Sequence, residues 1–177
     1  YTGILTKDMD QFSILQNTFN LNVEYRGQKT GFKVNPYVYQ YFDKNIDFGL
    51  REAYMDFYSD KLDLRVGKQQ IIWGKAEGVF ITDVISPKDL SEFLLRDFEE
   101  IRTGVTSVKL NYHSGNHTIE GVWVPAFTPT LMPETGSIWA PKLSFPINPT
   151  WDYSTANKNL TVANSEAFLR YSLMSSA

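Results

Sequence analysis

The chain has no cysteine and only two histidines. The first absence excludes disulfide scaffolds, Cys-ligated zinc, iron–sulfur clusters and thiol catalysis. The second leaves little for histidine chemistry, since His113 and His117 flank the same turn. An excess of positive charge is missing too. Seventeen basic against 20 acidic side chains give a net charge of -3, whereas a nucleic-acid binder shows a basic face or stripe. No stretch approaches the ~18–20 consecutive apolar residues of a transmembrane helix. Tyr1-Thr2-Gly3-Ile4 carries neither the basic nor the apolar region of a signal peptide. Tyr1 is not an initiator methionine, and Leu173-Met174-Ser175-Ser176-Ala177 stops inside an alternating stretch. The 177 residues are therefore expected to be a segment of a longer protein.

What the chain does have is rings. Four Trp, ten Tyr and twelve Phe make up 15% of it, yet the mean hydropathy is only -0.29. That combination calls for a place to put aromatic side chains other than a conventional oily interior.

The dominant pattern is apolar–polar alternation with a period of two, the signature of strands. Phe19, Leu21, Val23 and Tyr25 alternate with Asn20, Asn22, Glu24 and Arg26, and a Gly27–Gly31 turn follows. Next, Phe32, Val34, Pro36 and Val38 oppose Lys33, Asn35, Tyr37 and Tyr39. Pro36 has no amide hydrogen, so a bulge or irregular ladder position is expected there. The pair 50–58 and 62–71 admits two registers. One sets Asp56 against Asp63, a like-charge pair that destabilises. The other, with Asp60-Lys61 as the loop, sets Asp56 against Arg65, Phe57 against Leu64, Met55 against Val66 and Tyr54 over Gly67, and is adopted. A second hairpin joins 105–112 to 117–125 through Gly115-Asn116, a dipeptide suited to a primed turn. It pairs His113 with Thr118 and Ser114 with His117, which keeps the two imidazoles on opposite faces. A last strand is expected at about 164–174, with Leu169, Tyr171 and Leu173 on one side.

Connection lengths, with a modest link at 43–47 early on, alternate from the third onward. Residues 27–31, 60–61 and 113–116 are short links, whereas 74–103 and 126–160 are long. Structureless loops above ~12–15 residues are uncommon in compact soluble domains. Short turns at one end and long loops at the other characterise transmembrane β-barrels. The expectation is an all-β, antiparallel transmembrane barrel segment of about seven strands, with residues 1–177 forming part of one barrel domain. Closure then requires more strands, because single-chain bacterial barrels use an even number from about eight upward. A soluble β-sandwich or lipocalin-like binding protein, also built from alternating strands, stays open as an alternative. The sequons at Asn116 and Asn159 would suit a secreted version of it.

Within the first long loop, Ser86-Pro87-Lys88-Asp89 reads as a helix start with proline at the first helical position. Leu90, Phe93, Leu94, Phe98 and Ile101 recur at helical spacing. A helix over about 86–101 is expected, either plugging the barrel mouth or capping its outer rim.

Several blocks carry a family resemblance. They are Leu50-Arg51-Glu52-Ala53-Tyr54, Gly67-Lys68-Gln69-Gln70-Ile71-Ile72-Trp73-Gly74-Lys75, Thr82-Asp83-Val84-Ile85-Ser86-Pro87-Lys88-Asp89-Leu90 and Phe98-Glu99-Glu100-Ile101-Arg102. With Gln16–Leu21 and Glu24-Tyr25, they make the chain resemble a large family of Gram-negative outer-membrane proteins of unassigned function, over about residues 12–125. The resemblance implies a porin-like barrel in the bacterial outer membrane, several hundred residues long in full. Members are often encoded beside RND-type exporters, which implies traffic in hydrophobic compounds. The family offers no catalytic residues to carry over.

Other chemistries fit poorly. The glycine spacing of Gly67-Lys68 through Gly74-Lys75 is wrong for a phosphate loop, and Ala76 stands where Ser or Thr would be needed. Glu99 and Glu100 diverge as neighbours on a helix, and Glu52 and Asp56 lie about 13 Å apart along a strand, beyond the separation used in glycoside hydrolysis. Neither enzyme, metal nor cofactor is expected. The candidate site is the polar face of the strands: Lys33, Tyr37, Tyr39, Glu52, Tyr54, Asp56, Arg65, Lys109, Glu120 and Arg170 as pore-lining residues. Asp56–Arg65 and Lys109–Glu120 are the expected neutralising pairs. In a water-filled lumen such charges select solutes by field and hydrogen bonding. Expected partners are outer-membrane lipid and lipopolysaccharide, a small solute, and exporter or periplasmic components, with no nucleic acid. A channel for small hydrophobic or amphipathic solutes is the leading reading. A non-conducting barrel that docks a periplasmic or surface partner is the other.

Overall fold

The computed structural model describes residues 2–5, 12–41, 46–74, 83–92, 98–133, 139–140 and 162–174. Among the described residues there are nine strands: β1 (Thr2–Leu5), β2 (Phe12–Asn20), β3 (Val23–Arg26), β4 (Thr30–Tyr41), β5 (Ile46–Tyr58), β6 (Leu62–Gln69), β7 (Val105–Ser114), β8 (His117–Val124) and β9 (Glu166–Leu173). All pair antiparallel in one sheet, in the order β1-β2-β4-β5-β6-β7-β8-β9, with β3 also on β4. The path ends at β1 and β9, so the described sheet is open rather than closed on itself.

The count exceeds the expected seven for two reasons. The first expected strand is two pieces, β2 and β3, interrupted at Leu21-Asn22 beside Pro36. There the Leu21 amide donates to the Pro36 carbonyl at 3.1 Å. A short hairpin of β1 with β2 was also missed. Ile14 and Leu15 are adjacent there, so no period-two signal marks the strand.

The registers follow the cross-strand arithmetic. β5 and β6 pair Asp56 with Arg65, Phe57 with Leu64, Met55 with Val66 and Tyr54 with Gly67. β7 and β8 pair His113 with Thr118 and Ser114 with His117, and Gly115 takes the positive φ of 57° that this two-residue turn needs. The β4–β5 register shifts between Asn35 and Pro36, as expected of proline in a ladder.

The sheet's two faces are inverted relative to a soluble protein. One face carries Phe19, Tyr25, Phe48, Met55, Phe57, Leu110, Trp123, Leu169 and Tyr171, all exposed, with Phe48 at 79% and Leu169 at 75%. The other carries carboxylates that are buried: Glu52 at 8%, Asp56 at 7% and Glu120 at 6%.

Onto the charged face folds a strap, the connection from β6 to β7. Its Ile71 and Ile85 pack with Val105, Val122 and Val124 into a small apolar core, flanked by Trp73 and Phe168. The expected helix over 86–101 is corrected here. Residues 83–90 are irregular apart from bridges at Lys88 and Asp89, and among the described residues of the expected range helix occurs as one turn, α1 (Phe98–Ile101). The backbone of the supposed helix start is engaged elsewhere. Lys88 bridges Arg102, Asp89 bridges Leu131, and the Pro87 carbonyl accepts from Thr103 at 2.8 Å. The Ser86 hydroxyl accepts from the Ile71 amide at 2.8 Å instead of capping a helix. Leu90 is half-buried and Ile101 fully buried. Phe93 and Leu94 lie outside the described residues, and of Phe98 only the backbone is described.

Candidate functional site: a charged face beneath an internal strap

Alternation along the strands brings the expected polar residues together. Lys33, Tyr37 and Tyr39 from β4, Glu52, Tyr54 and Asp56 from β5, Arg65 from β6, Lys109 from β7, Glu120 from β8 and Arg170 from β9 share one face. Register then sets their partners. Arg65 grips Asp56 with both ends of its fork, Nε to Oδ1 at 2.6 Å and a terminal nitrogen to Oδ2 at 3.0 Å. The Tyr58 hydroxyl donates to the same carboxylate at 3.0 Å. Lys33 meets Glu52 at 2.5 Å, and the other oxygen of Glu52 accepts from the Gln70 amide at 3.1 Å. Such bidentate and charge-assisted contacts are the strong class of hydrogen bond. One expected pair is corrected: Glu120 takes the Trp73 indole and, at 3.4 Å, Arg170, rather than Lys109.

Two tyrosines lie across from glycines. Tyr54 faces Gly67, whose φ is +132° and where an added Cβ would lie 2.7 Å from the Tyr54 Cα. Tyr37 faces Gly49, where a Cβ would run into the phenol ring. The missing side chains let the rings lie flat over the sheet. Arg65 stacks over Tyr54 at 3.8 Å from its centroid, and Arg51 over Tyr37 at 4.7 Å.

Arg51 was not among the expected residues. In the shifted register Asn35 pairs with Glu52 and Pro36 with Leu50, so Arg51 is the extra residue of a bulge. It therefore turns to the charged face with Glu52. There it donates to the Tyr39 hydroxyl at 2.6 Å and pairs with Glu100 of the strap at 2.7 Å. The signal was present in Pro36, but strict alternation assigned Arg51 to the apolar side. Lys33, Asn35, Arg51, Glu52, Tyr54, Arg65, Gln70 and Ile72 enclose a hollow of about 300 Å³ beside the strap.

Within the strap, one carboxylate ties distant segments together. Asp83 is buried, and its Oδ1 accepts from the amides of Trp73 at 3.0 Å and Gly74 at 2.7 Å. Its Oδ2 accepts from Arg102 twice, at 2.9 and 2.7 Å. Burial by itself would raise the Asp83 pKa. The Gly74 amide, the Arg102 guanidinium and the Trp73 amide outweigh it and hold the carboxyl below its ordinary 3.8.

A family model described as "Protein of unknown function (DUF1302)" matches residues 10–164. The chain belongs to this family. No curated protein and no solved structure matches it. In this DUF1302 chain the match spans every strand from β2 to β8, the strap and most of the second long connection.

Sequence reasoning missed Trp73, Asp83 and Arg102 as well as Arg51. All three lie outside the alternating strands, so no period marks them. Their only trace was the dense Gln69–Gly74 and Thr82–Asp89 blocks. Among the described residues, no group of three His, Cys, Asp or Glu is arranged to hold a metal ion.

Proposed function

We propose that the chain is part of a Gram-negative outer-membrane β-barrel that serves as a passive channel for small hydrophobic or amphipathic solutes. The observation that carries this reading is the inversion of the sheet, with an exposed apolar face and buried, paired charges opposite. Water surrounding both faces would make that arrangement costly, whereas lipid outside and a polar lumen inside require it. Strands of 8 to 13 residues from β4 to β9 suit the about 9–11 residues needed to cross a bilayer at a tilt. Tyr112 and Tyr171 lie in the outward row nearest the short turns, and Phe19 and Phe48 in a row at the far end. Those are the levels of the two aromatic girdles of such barrels.

In this reading the strap narrows the lumen, and the ion-paired face sets a weak, mixed-sign selectivity. Closure is completed by strands beyond β1 and β9, and lipopolysaccharide and lipid cover the apolar face. Exporter or periplasmic components would bind at the ends. No catalytic step is assigned to the charged face.

The experiment is single-channel recording of the full-length protein in planar bilayers, with and without residues 86–101. Discrete conductance that rises on deletion supports a channel narrowed by the strap. Silent bilayers in both cases would replace the channel with a docking scaffold. Unchanged conductance would place the strap outside the narrowest section.

A further inference from the structure

The geometry points to a lipid site on the apolar face of the sheet, with a phosphate headgroup held by Lys68 and Thr106 and an acyl chain in the groove beside them. This rests on the membrane setting of the proposed function, though not on conductance.

The apolar face runs without interruption through Phe32, Met55, Val66, Val108 and Trp123, neighbours in register across five strands. One row nearer the strap, Val34, Ala53, Lys68 and Thr106 lie side by side. Among the paired residues of β1 to β9, Lys68 is the one lysine, arginine, aspartate or glutamate on this face. Every carboxylate of those strands lies on the opposite face. Lys68 makes no hydrogen bond or ion pair among the described residues, although it is half-buried. Its stem passes over Gly104, where an added Cβ would lie 3.3 Å from the Lys68 Cγ. Lys68 is also the last outward residue of β6 before the strap. From there an ammonium can reach headgroup level while its stem stays on apolar surface. Thr106, opposite it in register, is exposed.

The neighbouring rows form the other half of the site. Phe32, Val34, Ala53, Met55 and Val66 line an outward-opening groove of about 440 Å³, within the ~300–1,000 Å³ usual for small-molecule sites. Ala53 leaves the room, being the small residue between Val34 and Lys68. No charged side chain lines the groove. It opens on the face that lipid covers, so its ligand arrives from the bilayer and offers an apolar chain. At the Lys68 end the same ligand must offer a negative charge, and a bilayer supplies that as lipid phosphate. A lysine binds phosphate as a point charge, and a threonine hydroxyl adds a second donor. The long connections leave the sheet at this end, which in outer-membrane barrels is the external side. The occupant is therefore a phosphorylated lipid of the external leaflet.

The test is native mass spectrometry of the full-length protein released from neutral detergent micelles. It is titrated with dioleoylphosphatidate and with dioleoylglycerol, which lacks the phosphate. The unaltered protein should bind the phosphatidate at least about fivefold more tightly, as for one lysine at an anionic lipid surface. That comparison needs no variant to fold. Lys68→Met should remove the preference and Lys68→Arg should keep it. Lys61→Met, in the exposed turn at the other end of β6, should leave it unchanged. Ala53→Phe, which fills the groove with another hydrophobe, should weaken both lipids alike. Equal affinity for the two lipids, a preference that survives Lys68→Met, or binding untouched by Ala53→Phe would overturn the site. Insertion into phosphatidylcholine vesicles separates the site from the membrane reading. Protein that inserts without preferring phosphatidate keeps the barrel and loses the site, and protein that does not insert loses both.

Discussion

The apolar face of the sheet and the charged face beneath the strap are built from the same strands by opposite means. On the apolar face, side chains such as Phe48, Met55 and Leu169 stand exposed and are defined by chemistry alone; any similar hydrophobe would serve. On the charged face each group is defined by its partner: Asp56 by Arg65, Glu52 by Lys33, Arg51 by Glu100, Asp83 by Arg102. In the proposed lipid setting, the first face tolerates exchange within a class and forbids charge. The second tolerates charge and forbids the loss of one member of a pair.

The largest expected break comes from the strap. Asp83→Ala strands Arg102 and two backbone amides in a buried site, and losing one partner of a buried pair costs about 3–5 kcal/mol. Thermal unfolding in micelles should show it as a large drop in midpoint. The same pair carries a pH signature. Because the folded pKa of Asp83 lies below 3.8, its stabilisation is present above that value and fades as pH falls through the folded pKa. Acid unfolding curves from pH 7 to pH 2 should therefore steepen below about pH 4, and Asp83→Asn should flatten that limb.

Next in size is a charge on the wrong face. Met55→Arg, in the middle of the apolar rows, should cost about 2–4 kcal/mol in lipid, the midplane value for a basic residue. Refolding yield into vesicles measures it. A soluble sandwich would accept that change on an exposed position almost without cost, so an unaffected variant would overturn the membrane reading. Gly67→Ala should follow at about 1–3 kcal/mol, from a φ of +132° and a Cβ driven into the neighbouring strand. The smallest effect belongs to His113→Ala. Its contact with Asp63 is substantially exposed, and such pairs contribute under about 1 kcal/mol.

How much of this was legible in sequence depended on periodicity. The β5–β6 and β7–β8 registers could be read because strand side chains alternate strictly and one register opposed Asp56 to Asp63. Asp83, Trp73 and Arg102 could not be read, because their contacts join segments far apart in the chain with no repeat. The helix expected at Ser86 failed for a related reason. Helical spacing and a good cap were present locally, but Lys88 and Asp89 found backbone partners in Arg102 and Leu131 instead. Tertiary pairing overrode propensity.

The bulge at Arg51 has a consequence for how this strand can change over generations. Inward positions of β5 are odd before the bulge, such as Gly49 opposite Tyr37, and even after it, such as Tyr54 and Asp56. Losing one residue elsewhere in the strand would turn one half of it inside out, sending tyrosines and carboxylates to the other face. Losing one at the bulge would instead restore unbroken alternation, with every remaining neighbour on its own side. The strand therefore has one point at which it can shorten by a residue and remain readable.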